Sequence, residues 1–122
     1  MATVNYTANA LAPLNHAFYT WTPLTTTNAD GAPVGFAGSG KTVQVTGTFG
    51  VGGTLVMQES VDGTNWVTMT DTSVTGGAVS FTATGVKDLR ETAPFVRPFV
   101  SGGDGTTSLT VTLACRRALV NA

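Results

Sequence analysis

Residues 108–115, SLTVTLAC, set Leu109, Val111, Leu113 and Cys115 on one side of an extended chain and Thr110, Thr112 and Ala114 on the other. Side chains alternate across a strand with period two. Wound as a helix, the four apolar residues would scatter around its axis. Wound as a strand, they form one face that must be buried. Similar segments recur from residue 42 onward: 42–49, 54–61 (TLVMQESV), 66–71 (WVTMTD), 77–84 (GAVSFTAT), 93–100 (APFVRPFV) and 107–116. Gly and Asp-Gly turns separate them, with Asp62-Gly63 a strong hairpin signal. Six or seven short strands, with turns about every eight to twelve residues, predict an antiparallel β-sandwich, jelly-roll-like. The stretch GVKDLRETA reads as a loop or a short helical turn. Pro94 and Pro98 predict an edge position or a bulge for their strand.

Composition agrees. The chain has twenty-three threonines and fifteen glycines in 122 residues. Threonine favours strands and glycine favours turns. The length predicts one sandwich domain, residues 42–122, able to fold without staples. Residues 1–41 differ. They hold Pro13, Pro23 and Pro33 and aromatic residues with no sustained period, which predicts an extended N-terminal arm. Within it HAFYTWT can form one strand with Ala17, Tyr19 and Trp21 on one face. An arm bearing Leu11, Leu14, Phe18, Tyr19 and Trp21 must bury them on its own domain or on a neighbour.

One motif points elsewhere. GFAGSGKT, residues 35–42, fits the phosphate-cradling pattern G-x-x-x-x-G-K-[ST], in which Lys41 would reach phosphates and Thr42 would hold Mg²⁺. That mechanism needs a buried strand before the loop and a helix from Lys41 onward. Upstream stands the polar, turn-forming TTTNADGAPV. Downstream, Val43, Val45 and Phe49 fall at even spacing with threonines between them, which is strand patterning. The expectation is a Gly-rich lead-in to the first core strand.

Only 11% of residues are charged and the net charge is −1. A nucleic-acid partner held through phosphates needs a basic excess, so none is expected. No apolar stretch reaches the length of a membrane helix, and the start lacks a basic, apolar leader. Neither a membrane partner nor a Sec signal is expected. Cys115 is the sole cysteine, and its alternation predicts a buried core thiol.

Candidate chemistry is sparse. His16 is the sole histidine and lies in the expected arm, a poor place to hold a catalytic base. Asp30, Asp62 and Asp104 each precede a glycine and read as turn formers. Glu59 shares a face with Leu55, Met57 and Val61, and Arg97 stands between Phe95 and Phe99. A structural Glu59–Arg97 ion pair across two strands is expected. No Cys/His cluster suggests a metal, and DGTN and GGDGTT read as plain turns. No catalytic residue, metal or cofactor is expected. Trp66, just after the hairpin turn, is the candidate for stacking on a ligand such as a sugar ring.

VQVTGTFGVGGTLVMQESVDGTNWVTMTD, followed by APFVRPFVSGGDGTTSLTVTLACRR, resembles small β-sandwich virion proteins of tailed bacteriophages, in particular capsid decoration or cement proteins. The resemblance covers about residues 42–117 and rests on turn-and-strand grammar. It implies a non-enzymatic protein on the capsid surface, made in the host bacterial cytoplasm. It also implies contacts with the major capsid protein and with copies of itself, trimer before dimer. Arm residues Leu11, Leu14, Phe18, Tyr19 and Trp21 are the expected contacts. The S-x-D-G-x-x-W element also occurs in carbohydrate-binding sandwiches, so a sugar- or receptor-binding module of a phage fibre or tail, using Trp66, stands as the alternative.

Overall fold

The alternating segments become strands because each has one apolar face to bury and a glycine turn at its end. A computed structural model describes residues 3–11, 16–35, 38–73, 76–90 and 93–117. Among these residues there is no helix. The strands are β1 (Tyr6–Leu11), β2 (His16–Leu24), β3 (Val34–Gly35), β4 (Gly38–Thr48), β5 (Thr54–Ser60), β6 (Val67–Thr68), β7 (Ser80–Phe81), β8 (Gly85–Leu89), β9 (Phe95–Ser101) and β10 (Ser108–Arg117). They form two antiparallel sheets, β1-β2-β10-β4-β8 and β3-β9-β5-β6, with β7 also paired to β5. The fold is the expected all-β sandwich.

Strand β10 lies at the centre of the first sheet. Val111 stands opposite Val45 on one side and Trp21 on the other, and Leu113 stands opposite Val43 and Tyr19. Trp21, Val43, Val45, Val111 and Leu113 have no exposed surface. From the second sheet come Leu55, Met57, Val96 and Val100, also buried. These two inner faces make one core. Burying each large side chain stabilises the fold by about 1.5–3 kcal/mol.

Three expectations change. Within the extended segment expected over residues 1–41, residues 6–11 and 16–24 are sheet strands: β1 and β2 extend the first sheet, with Tyr6 opposite Trp21 and Ala8 opposite Tyr19. The apolar side of β2 is continuous with that of β10, so packing against the domain's own core wins. GVKDLRETA forms strand β8 over Gly85–Leu89, because Leu89 can bury opposite Lys41 on β4. Strand β9 runs inside its sheet, between β5 and β3, with Pro98 opposite Met57. On the far side of Pro98 stands the short segment 29–31: the Gly31 N–H donates to the Pro98 carbonyl at 3.0 Å, and the Val100 N–H donates to the Ala29 carbonyl at 2.8 Å. The Pro98 carbonyl, and so its nitrogen, points to this segment and away from β5, and Met57 opposite it accepts from the Met69 N–H on its own far side, so the proline costs the β5–β9 ladder no hydrogen bond.

Gly31 is required there by crowding. A Cβ at this position would lie 2.6 Å from Trp21 Cδ1 and 2.7 Å from the Pro98 ring. The close approach lets the Trp21 indole N–H donate to the Ala32 carbonyl at 3.0 Å. The fully buried indole therefore keeps a polar partner.

Candidate functional site

The β5–β6 hairpin positions Trp66. Asp62 Oδ1 accepts hydrogen bonds from the backbone N–H groups of Thr64 (2.8 Å) and Asn65 (2.9 Å) and from the Ser60 hydroxyl (2.9 Å). Its Oδ2 accepts from the Asn65 side-chain amide at 2.8 Å. Gly63 supplies a φ of 77°, in the left-handed region. Together they make a turn held by one carboxylate. The backbone N–H groups of Asn65 and Thr64, then the Asn65 amide and the Ser60 hydroxyl, hold the Asp62 carboxyl well below the usual carboxylate range.

Beyond this turn the half-buried Trp66 meets Arg97 of β9. The guanidinium carbon lies 4.4 Å from the Trp66 ring centroid and 6.0 Å from that of Phe99. Arg97 Nε donates to Gln58 Oε1 at 2.9 Å, and its terminal nitrogen lies 3.8 Å from Asp30 Oδ2. Burial lowers the Arg97 pKa, and Asp30 opposes that shift. Phe95, Arg97 and Phe99 are half-buried while Val96, Pro98 and Val100 are buried, so the cluster lies on the outer side of the sheet. A planar cation held by a ring, an amide and a carboxylate has little rotamer freedom left to lose on binding.

The expected Glu59–Arg97 pair does not fit the register. Arg97 stands opposite Gln58, whereas Glu59 stands opposite Val96. Opposed residues share a face and successive residues alternate, so Glu59 and Arg97 leave their strands on opposite sides. Asp30 takes the role instead, from a segment with no sequence signal linking it to β9. Trp66, the expected sugar platform, has Arg97 over its ring, so that part of the ring is not free to stack on a sugar.

The expected contact residues separate. Trp21 is fully buried and belongs to the core. Tyr19 is half-buried, edge-to-face with Tyr6 at 5.3 Å. Phe18 is half-buried, opposite Ala114. The side chain of Leu11 and the whole of Leu14 lie outside the described residues. His16 is a strand residue opposite Arg116. Lys41 and Thr42 sit within β4, opposite Cys115 and Ala114, and Lys41 is 3% exposed. Residues 38–42 of the GFAGSGKT motif thus belong to strand β4, where no helix starts at Lys41, and the Thr42 hydroxyl donates to Asp88 Oδ1 at 2.8 Å. Cys115 is 1% exposed, and burial pushes its thiol up to about 12. Among the described residues no three His, Cys, Asp or Glu side chains gather as a metal site.

The outer face of the first sheet is a threonine surface. Thr20 and Thr112 hydroxyls lie 3.3 Å apart across β2 and β10, and Thr22 and Thr110 lie 2.8 Å apart. These cross-strand bonds leave the β2–β10 part of that face polar and stiff, with Asp88 on the same face where β8 meets Thr42 of β4. A groove of about 400 Å³ runs beside the hairpin between Glu59, Asp62, Val61 and Val67. The two valines are 78% and 65% exposed. Comparison of the chain with protein-family models, with curated proteins and with solved structures yields no match.

Proposed function

We propose that this chain is a non-enzymatic structural protein of a tailed-phage virion, which decorates the capsid exterior and ties neighbouring major capsid proteins together. The observation that carries the reading is the Trp66–Arg97–Phe99 cluster on the outside of a stiff sandwich. Aromatic and arginine side chains of this kind dominate the energetics of protein interfaces, where they act as central anchors. The cluster is held before any partner arrives, so binding loses little side-chain entropy.

Three further features support the reading. The segments that carry the phage resemblance supply β4, β5, the β5–β6 hairpin, β9 and β10, the frame that presents the cluster. The strand order also supports a jelly-roll-like sandwich, since the chain passes repeatedly between the runs β2-β10-β4-β8 and β3-β9-β5-β6 of the two five-stranded sheets. Sparse charge suits a contact made outside the cell, because ionic screening acts least where ion pairs are few. In this reading the capsid contact moves from the expected arm to the Trp66–Arg97 face, and copies of the chain associate with one another.

Co-sedimentation with undecorated capsids of the source phage tests the proposal. Saturation at a fixed number of copies per capsid, weakened by Trp66→Ala or Arg97→Ala in a folded protein, is the expected result. Folded protein that stays in the supernatant at every concentration overturns it.

A further inference from the structure

Sheet edges expose a row of unpaired N–H and C=O groups, and proteins blunt them with charge, proline, shortness or cover. Three of the four edges in this sandwich carry such a device. Strand β8 bears Lys87 and Asp88, and its end is covered where Asp71 bridges Leu89 and the Arg90 N–H donates to the Thr70 carbonyl at 3.0 Å. Strand β3 is two residues long and follows Pro33. Strand β6 is also two residues long, and the continuing chain is covered by residues 77–79, with the Val79 N–H donating to the Met69 carbonyl at 2.8 Å.

Strand β1 has none of these. It is six residues long, YTANAL, with no charge and no proline. It is paired to β2 along its whole length, from Tyr6 opposite Trp21 to Leu11 opposite His16. Its start is fixed from the other side: the Val4 N–H donates to the Asp30 carbonyl at 2.9 Å, and the Val4 carbonyl accepts from the Ala32 N–H at 2.7 Å. Among the described residues no strand covers the second edge of β1, and Thr7 and Ala8 are exposed. From Tyr6 onward the edge is ordered by an unbroken register with β2 and is uncovered among the described residues.

We infer that this edge pairs with β1 of a second copy of the chain, antiparallel about a two-fold axis, to make one continuous sheet across two subunits. The inference gives a location to the self-association in the virion reading and rests on that reading for its biological use. The occupant follows from symmetry and charge. A neutral strand meets its own copy without like-charge repulsion, and an isologous two-fold contact closes at two subunits. A two-fold axis normal to the sheet keeps both core faces on the same side. Because side chains alternate with period two, such a pairing must centre on a residue and not between two. Centring on Ala8 sets the small Ala8 against the partner subunit's Ala8 and the polar Thr7 opposite the partner subunit's Asn9. Pairing of one short strand buries less than the area of a standard interface, so a dissociation constant of about 10–100 µM is expected in solution. Tethering on a common surface would strengthen it.

Sedimentation velocity of the full chain over a concentration series tests this. The expected result is a reversible monomer–dimer equilibrium that Ala8→Lys weakens at least tenfold. Mixing Ala8→Lys with Ala8→Glu should restore it, because opposite charges then face each other. As a check independent of those variants, Ala8→Cys should give a disulfide-linked dimer on mild oxidation. The buried Cys115 should give none in the parent chain. A chain that stays monomeric at millimolar concentration overturns the inference. So does a dimer indifferent to charge at position 8 whose Ala8→Cys variant forms no crosslink. Capsid co-sedimentation reads the virion proposal separately, since a monomer can still decorate and a dimer can fail to.

Discussion

Arg97 lies over the Trp66 ring with its guanidinium carbon 4.4 Å from the ring centroid, and the same guanidinium donates to Gln58. One residue comes from β9 and the other from the end of a hairpin, so the stack joins the hairpin to the sheet. Trp66→Ala should cost about 1–2 kcal/mol in chemical denaturation, combining a lost cation–π contact with lost packing. Arg97→Lys keeps the charge but loses the planar fork, and should cost about 1 kcal/mol. In a double-mutant cycle the two should couple by about 0.5–1 kcal/mol. Strict additivity would show that the stack contributes nothing.

Gly31 should tolerate no side chain. A methyl group there meets Trp21 at 2.6 Å and Pro98 at 2.7 Å, both in the interior. Relief requires moving the indole, which would strain its hydrogen bond to Ala32. Gly31→Ala is therefore expected to destabilise the fold by about 1–3 kcal/mol, as overpacking does. Tryptophan fluorescence should shift as the Trp21 environment changes. A variant with the parent's stability would show that the segment 29–32 moves freely.

The sandwich was legible because alternation is a local signal: the faces of β9 and β10 follow from reading every second residue, and that of β5 does through Leu55 and Met57 but not at its end, where Ser60 is buried and Val61 exposed. Residues 6–24 misled for a physical reason. The alternation of β2 is clear, with Ala17, Tyr19 and Trp21 in line, yet the prolines and the aromatic residues around it resemble an extended arm. Only its pairing with the distant β10, where Trp21 stands opposite Val111, shows that Trp21 faces the core. The candidate site was half legible. Trp66 stands out beside an Asp-Gly turn, and Arg97 stands out between two phenylalanines. That Arg97 chooses Asp30 and Gln58 over Glu59 depends on the β5–β9 register, and a shift by one residue would have reversed it.

Acid should loosen the hairpin before the core. The Asp62 carboxyl is held low by hydrogen bonds that its protonated form cannot accept as well. Asp71, held by Ser73, and Asp104, held by Thr106 and the Val51 N–H, shift the same way. A depressed pKa contributes stability that is present above the ordinary value of 3.8 and is lost as pH falls through the folded-state value. Stability should thus be flat down to about pH 4 and decline below it. Asp62→Asn should reduce the steepness of that decline, while amide exchange at Thr64 and Asn65 quickens already at neutral pH. Unchanged exchange at both amides would show that the carboxylate does not hold the turn.

Cys115 should report global unfolding and nothing less. Burial raises its thiol from 9.0 to about 12, and Lys41 across the ladder only partly offsets this. At pH 8 the folded thiolate fraction is about one in ten thousand, against about one in ten for the unfolded chain. Alkylation by iodoacetamide at pH 8 should run at least about a thousandfold slower in the native protein than in denaturant, with closure of the core adding to the chemical factor. The same shift carries a sign for alkaline stability: a raised folded-state value contributes stability that is complete below pH 9.0 and is lost as pH rises toward 12. Cys115→Ala should flatten that alkaline decline. Rapid labelling of the native chain, with no loss of strand signal, would mean that the end of β10 opens locally and that the thiol is not sealed by the sandwich.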